Sequence, residues 1–133
     1  MSTLFNRIIN RETPAYIIYE DDKVIAFLDI GQNTKGHTLV VPKVITESVL
    51  TADEDTIAYV NIIAQRLALK LSDVLKASGV NILTNANPVS GQTVPHYHVH
   101  VIPRYTEDEL KFLVSSNSDT IEETFTFLKD HLG

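Results

Sequence analysis

Over residues 52 to 78 the apolar residues fall at helical spacing, whereas the stretches on either side carry β-branched and aromatic residues in short runs. That switch of period confines the chain to a mixed α and β architecture. Ile57, Val60, Ile63, Ala64, Leu67, Leu71, Val74 and Leu75 share one stripe, and Asp53, Asp55, Arg66, Lys70 and Asp73 lie opposite. Thr51 followed by Glu54 has the form of a capping box, and Gly79 offers a stop, so the spacing predicts one helix about 40 Å long. Upstream, residues 15–20, 23–30 and 36–43 read as three strands, the first two parted by the acidic turn Glu20-Asp21-Asp22. Downstream, residues 79–85 and 93–103 read as two more, joined by the turn-forming loop 85–91. Pro95, near the start of the last, fits an edge position or a bulge. Ser118 or Asp119 is placed to cap a tail helix carrying Ile121, Phe125, Leu128 and Leu132. His131 falls in its last turn and is assigned to the helix C-terminus. The expected fold is α+β: a roughly five-stranded, mostly antiparallel sheet with one long helix and a C-terminal helix. Residues 1–133 form a single domain in this reading, with 105–133 as a C-terminal extension.

Composition narrows the function. Of 133 residues, 44 % are apolar and 21 % charged, the balance of a globular chain. No apolar run approaches the roughly 18 residues of a membrane span, and the N-terminal stretch is too interrupted by polar residues for a signal peptide. A cytoplasmic protein without membrane partners is expected. The absence of cysteine excludes disulfides and thiolate zinc sites. A net charge of −6 without a Lys/Arg cluster argues against nucleic-acid binding. Any anionic substrate must then be held by local donors against the overall field.

Those donors are concentrated in "GQTVPHYHVHVIPRY", residues 91–105, which holds three of the chain's five histidines at alternate positions: His96, His98 and His100. On an extended strand they share one face, while Tyr97, Val99 and Val101 share the other. Three readings present themselves. A metal could be held by two of the histidines with His37, but His96 and His100 would stand about 13 Å apart on a strand, and the nearest carboxylates in sequence are remote. The row could be only the polar face of an exposed strand. Or it could serve phosphorus chemistry: a neutral imidazole is nucleophilic near neutral pH, and its neighbours can donate hydrogen bonds to phosphate oxygens. The glycine, amide and hydroxyl of "GQTV" supply further donors, and the third reading accounts for every residue type in the stretch.

The same residues resemble the histidine triad (HIT) signature, in which three histidines alternate with apolar residues after Gly-Gln-Ser/Thr-Val. "AFLDI" (26–30), "GHTLVVPK" (36–43) and "PAYIIYEDD" (14–22) are similar to its companion motifs, so that with Asn85 the likeness spans about residues 4 to 105. The resemblance implies a HIT-like fold and a hydrolase or transferase acting at the α-phosphorus of a purine nucleoside phosphoramidate or dinucleoside polyphosphate. His98 would be the nucleophile, forming a nucleotidyl-histidine that water cleaves. His96 would orient it, and His100 and His37 would line the phosphate site. Gln92 and Thr93 would bond phosphate or leaving group, Asp29 the ribose hydroxyls, and Asn85 the nucleotide. Phe27 and Ile30 would contact the base. No cofactor and no metal are implied for the reaction, and a homodimer with sheets meeting edge to edge is the family's common form. A nucleotide-binding adaptor with little turnover is the alternative. Two departures stand out. Thr3, Asn6 and Ile45 occupy positions where many bacterial members carry ligands of a structural zinc, so none is expected. The Trp-Pro-Pro-Gly terminus of the phosphoramidase (Hint) branch is missing, whereas Asn85 departs from the dinucleoside-polyphosphate hydrolase (Fhit) branch. The branch stays open.

Overall fold

The structure, a computed structural model, describes residues 2–133. Five strands form one sheet in which every neighbouring pair is antiparallel: β1 (Ile17–Glu20), β2 (Val24–Leu28), β3 (Thr38–Pro42), β4 (Gly79–Leu83) and β5 (Val99–Arg104), in the order β1-β2-β3-β5-β4. Helix α1 (Leu4–Ile9) precedes the sheet, α2 (Glu54–Leu75) links β3 to β4, and α3 (Ile121–Leu132) closes the chain. The α+β architecture read from the sequence is the one observed. Since β5 pairs with both β3 and β4, the connection through α2 skips one strand and carries the helix across the sheet face.

Four boundaries differ from the sequence reading, each for a local reason. The N-cap of α2 is Asp53, whose carboxylate accepts from Thr56 N, while the Thr51 hydroxyl is engaged with Thr46 and Ser48 in the preceding turn. The helix ends at Lys76, which takes the left-handed conformation expected of glycine (φ 61°), and Gly79 instead opens β4. Thr120 caps α3, not Ser118 or Asp119. Residues 93–98 remain outside the ladder, so β5 begins at Val99 and Pro95 lies before it. Helix α1 was not expected. Thr3 and Asn6 form its capping box, each side chain bonding the other's backbone N–H.

The edge strands β1 and β4 are partly exposed, whereas the central strands β2, β3 and β5 are buried on both faces. On one, Val24, Ala26, Val40, Tyr97, Val99 and Val101 pack against Val60, Ile63, Ala64, Leu67 and Ala68 of α2. On the other, Ile25, Phe27, Leu39 and Val41 pack against Phe5 and Ile8 of α1. Strands covered on both faces read as continuous apolar runs, as "VIAF" and "TLVV" do. The register aligns Phe27, Leu39 and His100 in one row across β2, β3 and β5 on the α1 side. Helix α3 has no buried residue. Among the described residues, no helix is long and apolar enough to cross a membrane.

The turn entering β3 depends on Gly36, whose φ is +94° and at which a Cβ would fall 2.5 Å from Leu75 Cδ1 and 3.3 Å from Pro103 Cγ. Gly36→Ala is expected to lose about 1–3 kcal/mol, from left-handed strain and the displaced Leu75. Chemical denaturation would measure it, and an unchanged midpoint would show that the turn relaxes without cost.

Candidate active site

The hairpin turn between β2 and β3 brings Asp29 and His37 together. Asp29 N donates to His37 O (2.9 Å), and the Gln32 amide donates to the carbonyls of both Asp29 (2.7 Å) and His37 (2.8 Å). Gln32 Oε1 accepts from Gly36 N (2.9 Å). One carboxylate oxygen of Asp29 accepts from Gly31 N (2.7 Å), and the other lies 3.8 Å from His37 Nε2. His37, 1 % exposed, meets His100 of β5 with facing ring nitrogens 2.9 Å apart, Nε2 against Nδ1.

His96 and His98 sit just before β5, outside the ladder, yet the alternation holds: both rings meet Phe5 while Tyr97 and Val99 pack on the α2 side. His96 is fully buried. Its Nε2–H donates to Pro42 O (2.8 Å), and its Nδ1 faces the Asn6 amide (3.3 Å), an arrangement that suits one neutral tautomer. His98 Nδ1–H donates to His96 O (2.7 Å), which leaves Nε2 as an unprotonated lone pair with no hydrogen-bond partner among the described residues. The edge of the Phe5 ring system packs on His98, centroids 4.9 Å apart at 89°. His98 and His100 stand 5.1 Å apart, ring to ring.

A cavity of about 620 Å³ opens over these rings. His98, His100, Asp29, Thr93, Phe27 and Ile30 line it, together with Leu4, Phe5 and Ile8 of α1, Tyr16 and Leu39. One end is therefore polar and imidazole-lined, and the other is an apolar slot. Phe27 is buried in its floor, whereas Ile30 is 90 % exposed at its rim. Of the residues singled out in the sequence, His96 and His37 do not line the cavity: His96 is bonded to Pro42 O and His37 to His100. Gln92 and Asn85 are not among the lining residues. The Gln92 amide is committed to the carbonyls of Glu47 (2.7 Å) and Val94 (3.2 Å), and its oxygen to Asn87 N (2.8 Å), so this side chain ties loops together instead of pointing to a ligand. Asn85 lies against Gly91.

The sequence reading missed Asn6, Phe5 and Gln32. Thr3 ahead of Leu4, Phe5, Ile8 and Ile9 was an available signal: a capping residue followed by an apolar pair at helical spacing. Gln32 carried none, since its role depends on the turn's φ/ψ (its own φ is 39°).

Burial sets the charge state. His96 and His98 are held below the ordinary histidine range by desolvation, partly offset by their bonds to carbonyl oxygens. His37 is lowered by desolvation against the pull of Asp29. His100 is pushed down to about 4 by desolvation and by its neighbours His98 and His37. All four rings are neutral at pH 7. An unfolded imidazole takes a proton below about pH 6.5, while the folded rings refuse it until lower pH, so the unfolded state binds more protons in that interval. Stability should be full above about pH 6.5 and fall between about pH 6.5 and 5, before carboxylates titrate. A thermal unfolding temperature flat across that interval would contradict the burial of these rings as neutral species.

Comparison with known proteins places the chain. The HIT domain family model matches residues 10–107. An uncharacterized 13.1 kDa HIT-like protein of Mesomycoplasma hyorhinis is 46 % identical over 102 residues, covering 77 % of this chain and 92 % of its own. The crystal structure of a HIT family member from Bacillus subtilis superposes with a TM-score of 0.87 at 33 % identity, covering 98 % of this chain and 94 % of that one. A Zn-bound histidine triad family protein from Mycobacterium smegmatis gives a TM-score of 0.79 at 37 % identity, covering 98 % and 92 %. At the N-terminus of this chain, Thr3 and Asn6 are committed to their mutual capping box and the Asn6 amide to His96, a donor set that does not suit a structural zinc. By sequence and by fold alike, the chain belongs to the HIT domain family.

Proposed function

We propose that the protein is a nucleotide hydrolase or transferase that cleaves at the α-phosphorus of a purine nucleotide, a phosphoramidate or a dinucleoside polyphosphate, through covalent attachment to His98. The observation that carries this reading is the His98 Nδ1–H bond to His96 O, which fixes the tautomer and leaves Nε2 nucleophilic beside the cavity. Attack forms the P–N bond as the leaving group departs, and water then breaks that bond to release the nucleotide. Positive charge builds on the His98 ring when phosphorus bonds to Nε2. The His96 carbonyl is already aimed at Nδ1–H and holds that charge better than the neutral ring, which is differential stabilisation of the kind catalysis requires. His96 is itself held at both ring nitrogens, so the carbonyl it presents is rigid.

The phosphate would face His100. With Asp29 near His37 Nε2, the shared proton is favoured on His37, so His100 Nδ1 accepts and its Nε2–H is free to donate to a phosphate oxygen. Such neutral donors suit a chain of net charge −6. Asp29 would bond the ribose hydroxyls, Thr93 the phosphate or leaving group, and Phe5, Phe27, Ile8 and Ile30 would contact a planar base; all six line the cavity, which supports this reading. Gln92 and Asn85 would act through loop geometry. A homodimer is consistent with the open edge of β4, where Val80 and Ile82 are exposed, and with Ile62, Leu69 and Val74 exposed on α2.

His98→Ala is expected to abolish AMP release from adenosine 5′-phosphoramidate and from a diadenosine polyphosphate, a loss of at least about 10³-fold, with the circular dichroism spectrum unchanged. Near-wild-type release by the variant would overturn the nucleophile assignment, and the faster wild-type substrate would set the branch. Because the proposed chemistry is metal-independent, EDTA should not lower the rate. A rate lost in EDTA and restored by a divalent cation would replace this mechanism with a metal-assisted one.

A further inference from the structure

We infer that Asp29, His37 and His100 form a binding site for a first-row transition-metal cation of the zinc class, and that the metal and the nucleotide exclude one another. The inference rests on the proposed function only for the exclusion.

One ligand atom from each of the three residues lies within 4.8 Å of the others. Two pairs are closer: 2.9 Å between His37 Nε2 and His100 Nδ1, and 3.8 Å between His37 Nε2 and Asp29 Oδ2. Tetrahedral bonds of about 2.0–2.1 Å imply ligand atoms about 3.3 Å apart, within reach of small shifts of these side chains. Asp29 is 30 % exposed and can supply most of the movement. Two imidazoles and one carboxylate suit zinc, cobalt or nickel; magnesium and calcium prefer all-oxygen shells. The sequence separates these ligands widely, which is why a carboxylate partner could not be read from it. The β2–β3 turn delivers Asp29 to His37, and the β3–β5 pairing delivers His100 to both.

Three features argue for a site and not a chance cluster. Asp29 and His100 line the cavity, so the fourth position is open to it, as in zinc sites with an exchangeable ligand. His37 is buried and immobilised by the Gln32-stapled turn, so its nitrogen is presented without an ordering cost. His37 Nδ1 is buried and has no hydrogen-bond partner among the described residues, and neither does Thr34 Oγ1 in the same turn. When metal replaces the proton between His37 and His100, the His37 proton moves to Nδ1, which has no partner to displace. The same metal takes the Asp29 carboxylate from the ribose, and that competition carries the exclusion, since His100 ligated through Nδ1 keeps its Nε2–H. His98 is not among the residues whose ligand atoms gather there.

The test is titration of the full chain with Co2+, read by its visible d–d absorption, and with Zn2+ in competition. One Co2+ per chain is expected, with affinity lowered at least tenfold in Asp29→Asn and in His37→Gln and kept within about threefold in His98→Ala. Asp29→Asn changes a partly exposed side chain without altering its size, so it reports on the site even where His37→Gln is destabilised. A Co2+ ion held equally well by both variants is a surface ion, on the exposed His131 for example, and overturns the site. So does loss of binding in His98→Ala. AMP is expected to raise the apparent Co2+ dissociation constant linearly with AMP concentration, doubling it when AMP equals its own Kd. Co2+ and AMP bound together overturn the exclusion. AMP release that survives His98→Ala overturns the functional reading while leaving the metal site standing.

Discussion

Residues 96–101 must satisfy two cores at once, and most of the molecule is arranged around that demand. Tyr97, Val99 and Val101 are pressed into the layer beneath α2, so His96, His98 and His100 are forced to the face shared with α1. A slip of one residue would drive three imidazoles under an apolar helix and put Tyr97, Val99 and Val101 where His96, His98 and His100 find their hydrogen bonds. The register is therefore held by burial, although half the segment has left the ladder. Single bonds replace the ladder there: Tyr97 N to Thr46 O at 2.8 Å, and the Thr84 hydroxyl to His98 O at 2.7 Å. Freedom from the ladder also leaves His96 O available to His98 Nδ1, since a carbonyl committed to a neighbouring strand could not turn to the ring.

That placement makes the histidines dry, and dryness makes them neutral. A cluster of imidazoles in water would titrate near pH 6.5 and repel when charged. Here desolvation outweighs the acceptors that would favour protonation, including Asp29, so the cluster holds lone pairs and N–H donors in assigned places. Each proton is located by a carbonyl or a neighbouring ring: Pro42 O for His96, His96 O for His98, and His100 for His37. A preorganised array of neutral dipoles can meet a phosphate without the cost of reorientation. The same ring nitrogens, facing one another with a carboxylate beside them, are what a zinc-class divalent cation seeks.

Helix α1 shows how a short segment can carry a large structural role. Its six residues bring Leu4, Phe5 and Ile8 to the cavity wall, pack Phe5 against Phe27 and His98, and send Asn6 to the back of His96. The Thr3–Asn6 capping box closes the helix start with hydrogen bonds alone. Six residues cannot form a stable helix unaided, so the signal in the sequence was correspondingly faint and the helix exists because the sheet face gives it something to cover. Gln92 illustrates the opposite case. Its position in the "GQTV" motif pointed to a ligand, yet three bonds to loop backbone hold it in a supporting place.

The period of the apolar residues was enough to establish five strands, a long helix and their mixed class, because burial on one stripe or one face leaves a direct mark on a linear pattern. The alternating histidines and their companions were likewise legible, being adjacent in sequence and chemically unusual. What only the tertiary structure decided was which polar atoms face one another. The meeting of Asp29, His37 and His100 depends on a turn with a left-handed Gly36 and on strand order β3-β5. The tautomer of His98 depends on a carbonyl two residues away turned out of the ladder. Hydrogen-bond partners are set by angles and distances of a few ångströms, summed over loops and pairings that the spacing of residues along a chain does not encode.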